Sequence, residues 1–168
     1  MINKRYIVLR KIGEGRSLVF LCHDKNFNRD VAVKFLPPAA DKNEIFSFRE
    51  EYLLLKRINH PNILSVYEYG TVLKLDNNGK IQNELAGSKY ITSEFIQGDN
   101  LSDHCEKTNC AFIDTILAQI SNTLYFLHQS NLIYFDLKPE NILVHSDNGT
   151  PRVKFIDFGF VQNMRKMG

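Results

Sequence analysis

Hydrophobic and polar positions change period several times along this chain. Tyr6-Ile7-Val8-Leu9 reads as a strand and Lys11-Ile12-Gly13-Glu14-Gly15 as a turn. Leu18-Val19-Phe20-Leu21 reads as a second strand and Val31-Ala32-Val33-Lys34-Phe35 as a third, closed by Pro37-Pro38. From Asn43 to Ile58 the period turns helical, with Phe46, Tyr52 or Leu53, Leu55 and Ile58 recurring at steps of three and four. His60-Pro61-Asn62 ends that helix, because proline cannot continue it and restricts the residue before it. Ile63–Thr71 and Lys89–Ile96 read as two more strand regions. Residues 72–88 between them are polar and turn-rich: a hairpin or loop insertion with Asn77-Asn78-Gly79 at its tip, or else a docking surface. Gln97-Gly98-Asp99-Asn100 breaks the fifth strand. Ile113, Ile116, Leu117, Ile120, Leu124 and Leu127 form one apolar helical stripe. Short strands follow around Asp147-Asn148-Gly149, whose Asn-Gly pair is a strong hairpin signal. The order predicts a two-lobed α+β layout: five strands with one inserted helix, then helix and short hairpins.

Composition narrows this picture only a little. At 168 residues, with 43% apolar and 24% charged positions, the chain suits one ordinary folded domain rather than a disordered or fibrous protein. No apolar run approaches the ~20 residues of a membrane-spanning helix. The basic start, MINKRYIVLRKIGEG, has too short an apolar stretch for a signal peptide. A net charge of +2 gives no push toward nucleic acid. Cys22, Cys105 and Cys110 have no metal-ligand pairing beside them, and they read as reduced thiols in a cytoplasmic protein.

The candidate chemistry lies in three places. Gly13-Glu14-Gly15 sits between two strands, where glycines let backbone amides approach phosphate; an ordinary hairpin turn would look the same. Lys34 shares a strand face with Ala32. Glu51, 17 positions on, could pair with it and aim it at an anion, or both could simply be solvated. The strongest segment is Tyr134-Phe135-Asp136-Leu137-Lys138-Pro139-Glu140-Asn141 followed by Ile156-Asp157-Phe158-Gly159. Two carboxylates, a carboxamide oxygen and an ammonium suit Mg²⁺ with phosphate, and a carboxylate beside an acceptor hydroxyl can position it and take its proton.

Taken in order, these motifs resemble the protein kinase family, and the resemblance runs over essentially the whole chain. It implies a partial kinase domain over 1–168, with an N-lobe over 1–96, a hinge near 94–98 and an incomplete C-lobe over 99–168. It implies that ATP and Mg²⁺ are bound and that a protein hydroxyl is the acceptor. Gly13 and Gly15 would cover the ATP phosphates, and Lys34, paired with Glu51, would hold the α- and β-phosphates. Glu94 and Ile96 would offer hinge backbone bonds to adenine, with Ala32 and Leu143 packing on its two faces. Asp136 would be the catalytic base, Lys138 would steady the transferred group, and Asn141 and Asp157 would bind Mg²⁺. Leu55, Val66, Tyr134 and Phe158 look like the apolar spine of the family, although plain core packing would use them equally. Lys138-Pro139-Glu140 resembles the Ser/Thr branch.

The chain also departs from the family pattern. The glycine loop continues Arg16-Ser17-Leu18 and lacks its third glycine. Tyr134-Phe135-Asp136 stands where the family has His-Arg-Asp, so the arginine that answers a phosphorylated activation loop is missing. Ser93, at the gatekeeper position, is small. The sequence ends nine residues after Gly159, so a longer polypeptide with further domains is expected. An ATP-binding regulatory module without turnover, and a small-molecule kinase of the aminoglycoside or choline type, are the competing readings.

Overall fold

A computed structural model describes residues 1–15, 17–74 and 85–163. Backbone contacts divide the chain into two compact units. The first joins Met1–Lys56 to Ser65–Phe95. The second joins residues 57–64 to the stretch from Ile96 onward.

The first unit is built on an antiparallel sheet. Its strands are β1 (Tyr6–Glu14), β2 (Leu18–Asp24), β3 (Arg29–Leu36), β4 (Val66–Thr71) and β5 (Lys89–Glu94), in the order β1-β2-β3-β5-β4. Alternation is regular from Val31 to Phe35: Val31, Val33 and Phe35 are fully buried, while Ala32 and Lys34 point to the other face. The buried face joins Phe20, Cys22 and Tyr90 with Ile2, Tyr6, Val72 and Leu85 in one apolar cluster. Burial pushes the Cys22 thiol up to about 12, so it behaves as a small apolar side chain. At the edge of that cluster Arg5 makes a two-pronged bond to Asp24, at 2.8 Å on each arm, and a third contact to Glu68. The guanidinium holds the Asp24 carboxyl below its usual range. Gly70 is required here, since a Cβ would meet the Tyr90 ring at 2.5 Å.

Helix α1 (Lys42–Arg57) opens with a capping box: Asp41 accepts the Glu44 amide at 2.8 Å and Glu44 accepts the Asp41 amide at 2.9 Å. Its buried positions are Phe48, Glu51 and Leu55. Phe46, expected on the apolar stripe, is exposed. The inward face carries a carboxylate at its centre, so an apolar-only count shifts the register.

The region read as a strand from Ile63 contains strand β4 only from Val66. Before that, the Leu64 amide donates to the Phe155 carbonyl and the Phe155 amide to the Asn62 carbonyl, so this stretch belongs to the second unit. Within residues 72–88, Val72 and Leu85 are buried and the Val72 amide donates to the Ser88 carbonyl at 2.9 Å. The tip read at Asn77-Asn78-Gly79 lies outside the described residues, as does Arg16.

The second unit contains β6 (Asp99–Asn100), α2 (Leu101–Thr108), α3 (Ile113–Gln129), β7 (Leu132–Tyr134), a 3-10 turn at Pro139–Asn141, β8 (Ile142–Asp147), β9 (Thr150–Phe155) and β10 (Val161–Asn163). Strands β6, β8 and β9 form one small sheet, and β7 pairs with β10. The Asn-Gly signal is borne out, with Asn148 and Gly149 at φ of 50° and 80°. Gly98 lies so close to β8 that a Cβ would meet the Val144 carbonyl oxygen at 2.4 Å. On α3 the buried stripe is Ile116, Ile120, Thr123 and Leu127, and Leu117 is exposed. Thr123 satisfies its hydroxyl by donating to the Gln119 carbonyl at 2.7 Å. Gln119 ties α3 to the hairpin: its amide donates to the Pro151 carbonyl at 2.9 Å and its oxygen accepts from Asn62 and the Val153 amide.

Candidate active site

In the first unit the site is carried by β3 and α1. Lys34 is the only charged residue on the partly open face of β3 between two apolar neighbours, and strand pairing fixes its place. It lies opposite Val19 on one side and Ile91 on the other; Ala32 lies opposite Leu21 and Ser93. The ammonium bonds both oxygens of Glu51, at 2.8 and 3.0 Å. Glu51 is 5% exposed and Lys34 23%, so the pair is largely desolvated. A bidentate clamp of this kind fixes the long lysine stem and presents a cation from the sheet face. Phe48 lies beside it, 5.9 Å from the ammonium to the ring centre.

Gly13 pairs with Val19 at the β1–β2 turn, next to bulges in β1. Gly15 has open space around its α-carbon. Neither glycine needs a left-handed backbone. Glu94 ends β5 and uses its carboxylate to accept the Ser65 amide at 2.8 Å, while its own amide donates to the Ser65 carbonyl at 3.0 Å. Ser93 is buried, with its hydroxyl directed to the Glu94 carbonyl at 3.3 Å.

In the second unit three residues of one loop converge. Asp136 Oδ2 accepts from Lys138 Nζ at 2.8 Å and from Asn141 Nδ2 at 2.8 Å. The same Asn141 nitrogen also donates to the Asp136 carbonyl at 2.9 Å. The Lys138 ammonium, first, and then the Asn141 amide hold the Asp136 carboxyl below its ordinary range; the carboxylate in turn raises the lysine. Asp136 is therefore ionised at neutral pH, with Oδ1 as its uncommitted oxygen among the described residues. Asn141 is buried, and with Nδ2 committed, its Oδ1 is the atom left to meet a cation.

Asp157 is tied to this loop by backbone. The Ile156 amide donates to the Asn141 carbonyl at 3.1 Å, and Ile142 pairs with Phe155, so Asn141 and Asp157 flank the open end of the β8–β9 hairpin. The Gly159 amide donates to Asp157 Oδ1 at 3.1 Å. Strands β7 and β10 pair Tyr134 with Val161, which ties the residues before Asp136 to those after Phe158. Tyr134 stacks edge-on against both Phe155 and Phe158, with 5.2 Å between ring centres in each case. Leu143 alternates with buried Ile142 and Val144 and so faces the partly open side of β8. Leu55 and Val66, expected with Tyr134 and Phe158 in an apolar spine, are buried in the first unit.

No three acidic, histidine or cysteine side chains cluster as a metal cage among the described residues. One carboxylate and one carboxamide oxygen fit Mg²⁺, which keeps several waters and takes substrate phosphates as further ligands. They do not fit a structural Zn²⁺ site.

A family model described as the protein kinase domain matches residues 6–168. The chain belongs to the protein kinase family. Similar kinases include a probable serine/threonine-protein kinase of Clostridium perfringens, 29% identical over 98% of this chain and 22% of that protein. The serine/threonine-protein kinase PrkC of Bacillus subtilis is 32% identical over 94% of this chain and 23% of its own length. The rat serine/threonine-protein kinase DCLK1 is 28% identical over 94% and 35%. The chain thus spans about a quarter to a third of these kinases. No helix among the described residues is long and apolar enough to cross a membrane.

Two residues that support the β8–β9 hairpin carry no motif in the sequence. His60 stacks on Phe126 at 4.6 Å, and its Nδ1 accepts the Asn62 amide at 3.2 Å. Burial, with the Lys154 charge, lowers its pKa. Asn62 donates to Gln119 and to the Val153 carbonyl, both at 2.9 Å. Together they brace the β8–β9 hairpin from the other side. The helix breaker His60-Pro61-Asn62 was the one available signal.

Proposed function

We propose that this chain is the nucleotide-binding and catalytic part of a Ser/Thr protein kinase, which moves the γ-phosphoryl group of ATP to a protein hydroxyl. The observation that carries the proposal is the Asp136 carboxylate: ionised, pinned through Oδ2 by Lys138 and Asn141, and open at Oδ1. A fixed carboxylate oxygen can accept a hydrogen bond from a serine or threonine hydroxyl and hold its oxygen in line with the phosphorus. In the transfer, the bond from phosphorus to the β–γ bridging oxygen breaks as the bond to the hydroxyl oxygen forms. ADP leaves, and the hydroxyl proton passes to Asp136. A carboxylate with a depressed pKa is a weak base. That suits a loose transition state, in which the hydroxyl needs orientation more than early deprotonation.

The other roles follow from the donor chemistry. Lys34, held by Glu51, would bond α- and β-phosphate oxygens. Gly13 and Gly15 would let backbone amides approach phosphate, and the open space at Gly15 supports this. Ala32 and Leu143, each on a partly open strand face, would contact the base, and backbone groups at Glu94 and Ile96 would read its edge. Asn141 Oδ1 and Asp157 would hold Mg²⁺, which would neutralise phosphate charge when bound. Lys138 is near enough to Asp157 to feel its charge and would also face the transferred group. The protein substrate, a cytoplasmic setting and further domains on the same polypeptide belong to the same proposal.

Turnover of a generic protein substrate by the intact polypeptide tests it, beside Asp136→Asn. A loss of about 10²–10⁴-fold in kcat with ATP binding retained is expected. The missing third glycine favours a second reading, an ATP-binding module without turnover. Nucleotide binding with no transfer to any protein hydroxyl would establish that reading instead.

A further inference from the structure

The C-terminal end of α2 brings two thiols together. Cys105 lies in the last turn of the helix. The chain then takes left-handed backbone at Asn109 (φ 51°) and again at Cys110 (φ 56°). Non-glycine residues rarely adopt this conformation, and two in succession turn the chain sharply back on the helix. The Cys110 amide donates to the Cys105 carbonyl at 2.9 Å, closing a six-residue ring. In this kind of helix end, a side-chain contact between the residue that donates the closing amide and the one whose carbonyl accepts it is frequent. Here both are cysteines. The neighbouring Cys110 thiol, first of all, raises the Cys105 thiol. Cys110 is exposed, Cys105 is partly covered, and both are free thiols. Neither takes part in the proposed transfer reaction.

We propose that Cys105 and Cys110 form a reversible dithiol–disulfide site, with a peroxide as oxidant. The exposed Cys110 sulfur attacks hydrogen peroxide; the O–O bond breaks, one oxygen stays on sulfur as the sulfenic acid, and the other leaves as water. The Cys105 sulfur then attacks the Cys110 sulfur; the S–O bond breaks and a second water leaves. Two electrons pass from the thiol pair to the peroxide, and a dithiol reductant reverses the step. The backbone bond between the two residues brings their α-carbons together, and a disulfide requires such an approach. Helix α2 packs against the 3-10 turn that carries Asn141, so the pair lies one element from a candidate metal ligand.

The intact protein treated with hydrogen peroxide, digested and mapped by mass spectrometry tests this. The expected product is an internal Cys105–Cys110 disulfide, reversed by dithiothreitol, with Cys22 unmodified. Cys105→Ser should stop at a Cys110 sulfenic acid that dimedone traps, and Cys110→Ser should leave Cys105 unreacted over the same interval. Ring closure from a Cys110–glutathione mixed disulfide should run at least about tenfold faster in the native chain than in urea. Equal rates in urea, a disulfide between two molecules, or Cys110 passing to sulfinic acid with Cys105 still reduced would each overturn the proposal.

Discussion

Two lysine–carboxylate pairs of equal length do different work in this molecule. Lys34 and Glu51 meet at 2.8 Å between a strand and a helix, with the carboxylate sealed from water. Lys138 and Asp136 also meet at 2.8 Å, but within one loop, with the lysine half-exposed. Distance alone cannot rank them. A desolvated pair makes each partner depend on the other, because removing one strands a charge in a poor solvent. A solvated pair contributes little to stability, because water competes for both groups. The first pair is therefore part of the architecture of its unit as well as a candidate phosphate contact. The second, a candidate catalytic pair, can rearrange at small cost to the fold.

The sharpest way to break this contrast is Glu51→Ala. It should destabilise the chain by about 3 kcal/mol, read as a shift in the urea midpoint, and Glu51→Leu with Lys34→Met should recover most of the loss. A midpoint that does not move would mean that water reaches the pair. Next in size is Gly98→Ala, expected to cost about 2 kcal/mol because its Cβ would collide with the Val144 carbonyl, against less than about 0.5 kcal/mol for Gly15→Ala. Comparable costs at the two glycines would contradict the packing described for Gly98.

Acid sensitivity gives a smaller effect. His60 has a lowered pKa in the folded chain, so the unfolded chain binds the extra proton first. Stability should therefore fall as pH drops below the usual imidazole value of about 6.5, and His60→Phe should flatten that part of the profile. The smallest change in stability belongs to Lys138→Met, which should leave the urea midpoint essentially unmoved while, on the proposed function, kcat for phosphoryl transfer drops. A Lys138→Met chain that melts as early as Glu51→Ala would erase the distinction between the pairs.

How much of this was legible beforehand varies with how local the determining physics is. The common face of Ala32 and Lys34 follows from strand alternation, and the β8–β9 turn follows from Asn148-Gly149. Residues 136–141 and 157–159 stand out as a candidate site because the motif is contiguous. Helix α2 gave no apolar stripe to read, and the structure shows why: it has no buried residue, and its start rests on Asn100, which accepts the Asp103 amide at 2.9 Å. The register of α1 was missed for the opposite reason. Glu51 occupies the inward face, and only Lys34, on another element, makes that position tolerable. Thr123 hides its polarity in a bond to its own helix, so a count of apolar residues selects Leu117 in its place. Ile63 reads as the start of a strand region that runs to Thr71, but its backbone neighbours are captured by Phe155, 92 positions away.

The β8–β9 hairpin has a consequence for protein engineering. Its tip, Asp147–Thr150, is exposed, while its other end carries Ile142 and Phe155 beside Asn141 and Asp157. A fluorophore or a short peptide inserted at Asn148 would sit at the far end of a six-pair ladder from the candidate ligands. The hairpin thus offers an attachment point from which this unit can be immobilised or observed without touching the candidate ligands.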